Sequence, residues 1–336
     1  MLFPSPIDLE IKLPLSTSTS VQIQGHRSKI QEIIEGSSSL WAFVVGPCSL
    51  HDTNSALEYA KKLKKLQEKV EKTCLLVLRA HVEKPRTSLG WKGLLYDPYL
   101  DGSDNILEGL LISRELYLKI AEIGLPIATE FLEPLVSSYF SDLVSWGFIG
   151  ARTSSSQIHR QLASLLKLPM GFKNSTDGNL ESAIQGAITA QRPHKFIHMN
   201  PLGKIAEVTS QGNPFSHIVL RGSTSGPNYH SSDVLMALRK LDRRLLIDCA
   251  HDNSPSKPFD QRDVCLNALE QYLSGNGKIM GVMLESHLKA GNQSISALSI
   301  DPSISLTDPC MGWEETEELI CLVHEALLES NLLCLN

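Results

Sequence analysis

The sequence predicts an α/β protein folded as a (β/α)8 TIM barrel, on three observations. Short apolar runs recur eight times, at residues 41–48, 75–81, 127–132, 148–152, 170–173, 218–221, 245–251 and 281–285. Longer stretches with helical ends or helical spacing lie between them, the alternation that builds a mostly parallel sheet. No linker, change of composition or internal repeat breaks the series. Eight parallel strands closed into a ring with helices outside leave no unpaired edge, so a closed barrel is favoured over an open doubly wound sheet.

Taken in order, residues 1–40 read as a short N-terminal arm and 41–330 as the barrel; the stretch to about residue 20, rich in Pro, Ser and Thr, is expected to lie outside the core. After the first run, Ser55-Ala56-Leu57-Glu58 has the form of a capping box, and Ala56, Ala60, Leu63, Leu66 and Val70 then share one helical face. A helix from Asp104 carries Leu107, Leu110, Leu111 and Leu118 and stops at Gly124, just before Pro126. Further helical patterns cover 156–167, 179–191, 232–243, 260–273 and 314–330. A ninth apolar run, 195–200, is followed by Gly203 and then by 205–209, so it reads as an inserted β-hairpin before the sixth barrel strand.

Composition narrows the function classes. A chain of 336 residues, 42% hydrophobic and 20% charged, can bury a large core. Its net charge of -6 argues against a nucleic-acid binder, while leaving room for local basic clusters that hold small phosphates. Seven cysteines are scattered without a CxxC spacing, which suits a reducing compartment. Pro4 and Pro6 interrupt any secretory-type apolar region, and no run approaches the roughly 20 apolar residues that span a bilayer. A soluble cytoplasmic protein with no membrane partner is expected.

Almost every apolar run ends in a residue capable of chemistry: Cys48, Arg79, Glu130, Arg152, Lys173, Arg221, His251 and Glu285. In a barrel of this type the strand ends converge on one mouth, where active sites lie. The residues divide into two kinds. Arg79, Arg86, Arg152, Lys173 and Arg221, with Lys84 nearby, form a cationic set; arginine forks match phosphate oxygens and lysine adds a point charge. Cys48, His251 and Glu285, to which Asp308 is added, form a mixed soft and hard ligand set suited to Mn, Fe, Co or Zn rather than Mg or Ca. Each member also has a plain structural reading: a buried inert thiol, a hydrogen-bonded core histidine, ordinary loop carboxylates, solvated surface arginines.

Specific motifs carry a family resemblance. Gly46-Pro47-Cys48-Ser49-Leu50-His51-Asp52, Glu83-Lys84-Pro85-Arg86-Thr87 with Gly90-Trp91-Lys92-Gly93, Gly150-Ala151-Arg152-Thr153, Gly171-Phe172-Lys173-Asn174, Leu220-Arg221-Gly222, Pro227-Asn228-Tyr229, His251 with Asn253-Ser254, Glu285-Ser286-His287-Leu288 and Asp308 with Gly312-Trp313-Glu314 follow in the order found in type I 3-deoxy-D-arabino-heptulosonate-7-phosphate (DAHP) synthases. The chain resembles that family over about 41–328. The resemblance implies condensation of phosphoenolpyruvate with D-erythrose 4-phosphate, the first step of the shikimate pathway to aromatic amino acids, in a homodimer or homotetramer that uses one divalent metal ion.

By that likeness Cys48, His251, Glu285 and Asp308 hold the metal. Arg79, Lys84, Arg152, Lys173 and Arg221, with the Ala151 amide, hold phosphoenolpyruvate; Arg86 and Thr87 take the second phosphate, and Glu130 lines the substrate site. Cys48, His251 and Lys84 form the catalytic group, with Lys84 the candidate proton donor to the aldehyde oxygen. The related octulosonate 8-phosphate synthases carry a Lys-Ala-Asn-Arg-type loop where this chain has Lys84-Pro85-Arg86-Thr87, which selects the aldose. Two other readings stand beside this one: an octulosonate-type condensation with arabinose 5-phosphate, and an idle barrel that binds sugar phosphates. The segment departs from the family pattern at Cys249 and Asp252. So do Pro134, Ser137, Lys167, His198 and Met199, in the regions where regulated members bind an aromatic amino acid, which implies weak or altered feedback inhibition.

Overall fold

The computed structural model describes residues 2–86, 89–254, 260–296 and 299–333. Among these residues ten strands form: β1 (Trp41–Gly46), β2 (Cys74–Arg79), β3 (Ile127–Glu130), β4 (Trp146–Ile149), β5 (Met170–Lys173), β6 (Lys195–Met199), β7 (Ile205–Thr209), β8 (Ser216–Gly222), β9 (Leu245–Asp252) and β10 (Ile279–Glu285). Eight of them close into a barrel in the order β1-β10-β9-β8-β5-β4-β3-β2, every pair parallel. The expected hairpin is β6 paired antiparallel with β7, from Lys195↔Thr209 to Met199↔Ile205, inserted before the sixth barrel strand. The helices are α1 (Pro6–Lys12), α2 (Thr17–Glu35), α3 (Thr53–Val70), α4 (Ile106–Ile123), α5 (Ser137–Phe140), α6 (Gln157–Leu165), α7 (Leu180–Ala190), α8 (Ser231–Lys240), α9 (Asp260–Leu273) and α10 (Trp313–Leu333). Between β3 and β4 the crossover is only a 3-10 turn at Pro134–Val136 and the single turn of α5.

Alternation along the strands sorts the core into two layers. In β1, Ala42 and Val44 join the inner cluster with Leu75, Val77, Ala128, Trp146, Phe148, Val219, Leu246 and Met283, whereas Trp41, Phe43 and Val45 belong to the outer cluster under the helices. Side chains two apart share a face, so the inward series run Val77 to Arg79, Ala128 to Glu130, Val219 to Arg221, Leu246 to Asp248 and Met283 to Glu285. The barrel interior is therefore apolar below and ionic at the mouth. Gly281, at φ +151, lets β10 approach β1: a Cβ there would lie 2.0 Å from the Ala42 carbonyl oxygen.

Two expectations are corrected. The helix after β1 begins at Thr53, and its N-cap is Asp52, whose carboxylate accepts from the Ser55 amide at 2.7 Å. Ser55 is thus the third helical residue, because the carboxylate three residues earlier already satisfies that amide. The N-terminal stretch is not outside the core either. Ser5 caps α1 in a reciprocal box with Asp8, with Pro6 at the first turn, and Ser16 caps α2. Leu9 and Ile23 then join the outer core, and Ile30, Ile33 and Ile34 close the N-terminal end of the barrel against the inner cluster. Burial of each such isoleucine stabilises the fold by about 1.5–3 kcal/mol. The Arg27 guanidinium locks α2 in place by donating to the carbonyls of Val144 and Ser141. The helix at Ile106–Ile123 ends as expected at Gly124, which adopts the left-handed conformation at φ 88.

Candidate active site

At the mouth, Arg79 ends β2 and is 1% exposed. Its Nη1 donates to the carbonyls of Pro47 and Cys48 at 2.6 and 2.8 Å, and its Nη2 donates to Glu285 Oε1 at 2.7 Å. One buried arginine thereby fixes the turn after β1 beside the end of β10. Cys48 Sγ lies 3.3 Å from Asp308 Oδ2, and the Lys84 ammonium donates to both at 2.8 Å. Ligand atoms of Cys48, Glu285 and Asp308 all lie within 4.8 Å of one another. His251 faces the same group, its Nε2 3.7 Å from Glu285 Oε1 and its Nδ1 3.0 Å from Asp248 Oδ2.

His251 reaches this position by a departure from regular strand geometry. Val219↔Leu246 and Leu220↔Ile247 pair in step, but Gly222 then pairs with Asp252, so β9 carries extra residues against β8. His251 has φ +58, a left-handed conformation that costs a non-glycine residue free energy. The outcome is that Cys249 stays in the outer core while His251 turns into the mouth.

The electrostatics follow from burial and neighbours. Burial pushes the Cys48 thiol up to about 12, with the Glu285 charge adding to the effect and Lys84 opposing it. Burial works against the Lys84 charge, yet Cys48, Glu285 and Asp308 together raise it above its ordinary value, so it stays an ammonium. Asp308 is held well below the usual carboxylate range because Lys84 outweighs its own desolvation. His81, inward-facing two residues past Arg79, is kept neutral by burial and by the neighbouring Arg79, Lys173 and Lys84 charges. The Cys48 sulfur and the Glu285 and Asp308 carboxylates around one point, with the His251 imidazole beside Glu285, are a donor set that fits a first-row divalent ion.

The anion side of the mouth is equally organised. Lys173 Nζ lies 3.1 Å from Asp248 Oδ2 and 3.6 Å from Glu130 Oε2. Glu130 seats against bare backbone after β4, where a Cβ on Gly150 would come within 2.1 Å of its Oε1. Arg221 Nη1 donates to Asp252 Oδ2. A cavity of about 350 Å³ adjoins this group, lined among others by Lys84, Arg86, Lys92, Tyr96, Glu130 and Arg152. Arg86 and Arg152 are exposed on its rim, and Ala151 is half-buried in the turn beside Arg152. Thr87 lies outside the described residues. Cys48, Lys84, Arg79, Glu285 and Asp308 thus meet directly, His251, Lys173 and Glu130 join them through Asp248 and Glu285, and Arg86 and Arg152 stand one layer further out.

Sequence reasoning left four kinds of residue without a role. Asp248 bridges Lys173 and His251 while fully buried; a lone carboxylate inside the run Leu245-Leu246-Ile247-Asp248 was the available signal. Glu83 accepts from the Leu132 and Glu133 amides and from the Tyr96 hydroxyl, and burial pushes its carboxyl up to about 8. Asn174, Asn228 and Asn253 lace the ends of β5, β8 and β9: Asn174 Oδ1 accepts from the Arg221 amide, Asn228 Oδ1 from Gly222, and Asn253 Oδ1 from Asn228. Asp252 is the fourth.

Comparison with known proteins assigns the family. The DAHP synthetase I family model matches residues 15–320. A Trp-sensitive phospho-2-dehydro-3-deoxyheptonate aldolase of Enterobacter agglomerans is 42% identical over 331 residues, covering 96% of this chain and 94% of the relative. A Tyr-sensitive phospho-2-dehydro-3-deoxyheptonate aldolase of Escherichia coli (strain K12) is 42% identical over 330 residues, covering 96% and 92%. The solved structure of phospho-2-dehydro-3-deoxyheptonate aldolase from Francisella tularensis SCHU S4 superposes with a TM-score of 0.95 at 39% identity, covering 98% of this chain and 97% of that one. The chain belongs to the DAHP synthetase I family.

Proposed function

We propose that the barrel condenses phosphoenolpyruvate with D-erythrose 4-phosphate to give 3-deoxy-D-arabino-heptulosonate 7-phosphate and phosphate. The observation that carries the reading is the meeting of Cys48, Glu285 and Asp308 with Lys84 at the mouth, beside a rim of arginines and lysines. In the reaction C3 of the enol phosphate bonds to the aldehyde carbon, water adds at C2, and the resulting hemiketal phosphate loses phosphate by cleavage of its C2–O bond. Little bond-making falls to the protein, which must bring two anions together and neutralise them.

Cys48, His251, Glu285 and Asp308 would hold the divalent ion, which when bound supplies Lewis acidity toward the aldehyde oxygen. Arg79, Lys84, Arg152, Lys173 and Arg221, with the Ala151 amide, would hold phosphoenolpyruvate, and Arg86 with Thr87 the phosphate of the sugar. Lys84, a charged ammonium buried between these groups, is the proposed proton donor to the aldehyde oxygen as it becomes an alkoxide. Asp248 orients His251 and Lys173 together, so both groups of ligands share one buried carboxylate. Phosphate release from phosphoenolpyruvate, measured with erythrose 4-phosphate and with arabinose 5-phosphate, with and without added Mn, tests the reading. Turnover with the four-carbon sugar and metal is expected; preference for the pentose would favour the octulosonate reaction, and silence with both would leave a binding module.

Three further expectations of the family reading are retained as proposals. Among the described residues no helix is long and apolar enough to cross a membrane, in keeping with a cytoplasmic enzyme. A homodimer or homotetramer is supported by apolar residues left exposed where α1 meets the hairpin, among them Ile11, Ile197, Leu202 and Ile205, the two segments being joined by the Ile7 amide to the Pro201 carbonyl. Weak or altered aromatic feedback rests on the departures at Pro134, Ser137, Lys167, His198 and Met199: His198 is buried 3.4 Å from Ser138 Oγ, and Met199 lines a cavity of about 690 Å³ with Val136 and Tyr139. Inhibition by micromolar phenylalanine, tyrosine or tryptophan would contradict it.

A further inference from the structure

We infer that Asp252 is a built-in counter-ion for Arg221, competing with the anionic group of the substrate and so setting how tightly the mouth holds it. The inference rests on the reading of Arg221 as a ligand of phosphoenolpyruvate. Arg221 is 6% exposed, and its Nη1 donates to Asp252 Oδ2. The pairing is imposed by the strands. Gly222 is the register partner of Asp252, and a Cβ on Gly222 would lie 2.3 Å from the Asp252 carbonyl carbon, so the two backbones meet without an intervening side chain. Asn253 pins the next residue, accepting from the Asn228 amide and donating to the Asp248 carbonyl. The Asp252 carboxylate therefore starts from a fixed backbone directly beside the guanidinium.

Glu130, 3.6 Å from Lys173, aside, this acid differs from those that accompany the other inner cations. Arg79 pairs with Glu285 and Lys84 with Asp308, both candidate metal ligands, and Lys173 pairs with Asp248, which touches His251. Those carboxylates have a second use when an ion is present. Asp252 pairs with Arg221 and, among the described residues, with no candidate metal ligand. An arginine fork binds a carboxylate and a phosphate by the same parallel donors, so the incoming anion meets both an occupied donor and a like charge. The arginine side chain is 8% exposed, whereas the carboxylate side chain is 31% exposed and can turn to water. Substrate binding thus proceeds by exchange of one anion for another on Arg221, and the acid acts as a positioning residue that lowers affinity.

The test combines calorimetric titration of phosphoenolpyruvate with steady-state phosphate release, using the full chain, Asp252→Asn, Asp252→Glu, Arg221→Gln and the double variant Arg221→Gln/Asp252→Asn. Asp252→Asn is expected to lower Kd and KM for phosphoenolpyruvate by about 3- to 10-fold, the scale of one partly exposed ion pair, with a smaller change in kcat. Asp252→Glu keeps the charge and should stay near the unmodified affinity. In the Arg221→Gln background the gain from Asp252→Asn should largely vanish, because the acid acts through that arginine. Weaker or unchanged binding by Asp252→Asn overturns the inference, as does a gain that persists without Arg221. Binding without turnover in the unmodified chain would count against the condensation alone, leaving the affinity comparison to judge Asp252; no binding in any variant would overturn both.

Discussion

The two ends of the barrel are buried to the same degree and filled by opposite chemistry. At the N-terminal end Ile30, Ile33 and Ile34 of α2 press on Ala42, Val44, Leu75, Trp146 and Phe148. At the C-terminal end Arg79, Lys84, Lys173, Asp248 and Glu285 are each less than a tenth exposed and are arranged in ion pairs. Apolar burial there stabilises without specifying anything beyond packing, whereas buried ion pairs contribute little net stability and are held together by mutual need. The fold thus keeps stability at one end and places a destabilising but preorganised charge set at the other, the division expected of this architecture.

Substitutions at the two ends should therefore separate activity from stability. Cys48→Ala is expected to have the largest effect, removing bound metal and lowering turnover beyond the roughly 10- to 100-fold typical of groups that only support a ligand, while circular dichroism stays native; metal analysis of the purified variant checks it. Arg79→Met should lose activity and also about 3–5 kcal/mol of stability, since Glu285 is left buried without its partner; urea unfolding followed by intrinsic fluorescence measures this. Ile33→Ala at the opposite end should cost about 2–5 kcal/mol through the cavity it leaves, with KM and kcat unchanged at a temperature where the variant is folded. Equal kinetic damage from Ile33→Ala and Arg79→Met would dissolve the distinction between the ends.

Much of this was legible in the sequence because both barrel signals are local. An apolar run that closes on a charged residue, such as Leu76-Val77-Leu78-Arg79 or Met283-Leu284-Glu285, announces a strand and its functional tip together. What could not be read depended on register and partners. His251 enters the mouth only through the extra residues of β9 and a left-handed backbone, neither of which a period of two foretells. Asp252 meets Arg221 because Gly222 lies opposite it, a pairing between segments thirty residues apart. The helices α1 and α2 hid behind Ser5-Pro6 and Ser16, residues that begin helices here although their composition suggests an irregular arm. Asp52 outranked Ser55 as a cap for a similar reason, since several good caps stood within one turn.

The claim beneath all of this is that Cys48 shares one ion with His251, Glu285 and Asp308. Cobalt substitution tests it most directly, because a thiolate bound to Co(II) gives a ligand-to-metal charge-transfer absorption that oxygen and nitrogen ligands do not. The account predicts that band in the Co(II)-loaded chain and its loss in Cys48→Ser loaded to the same cobalt content. A cobalt-loaded chain without the band, or a band that survives in Cys48→Ser, would contradict it.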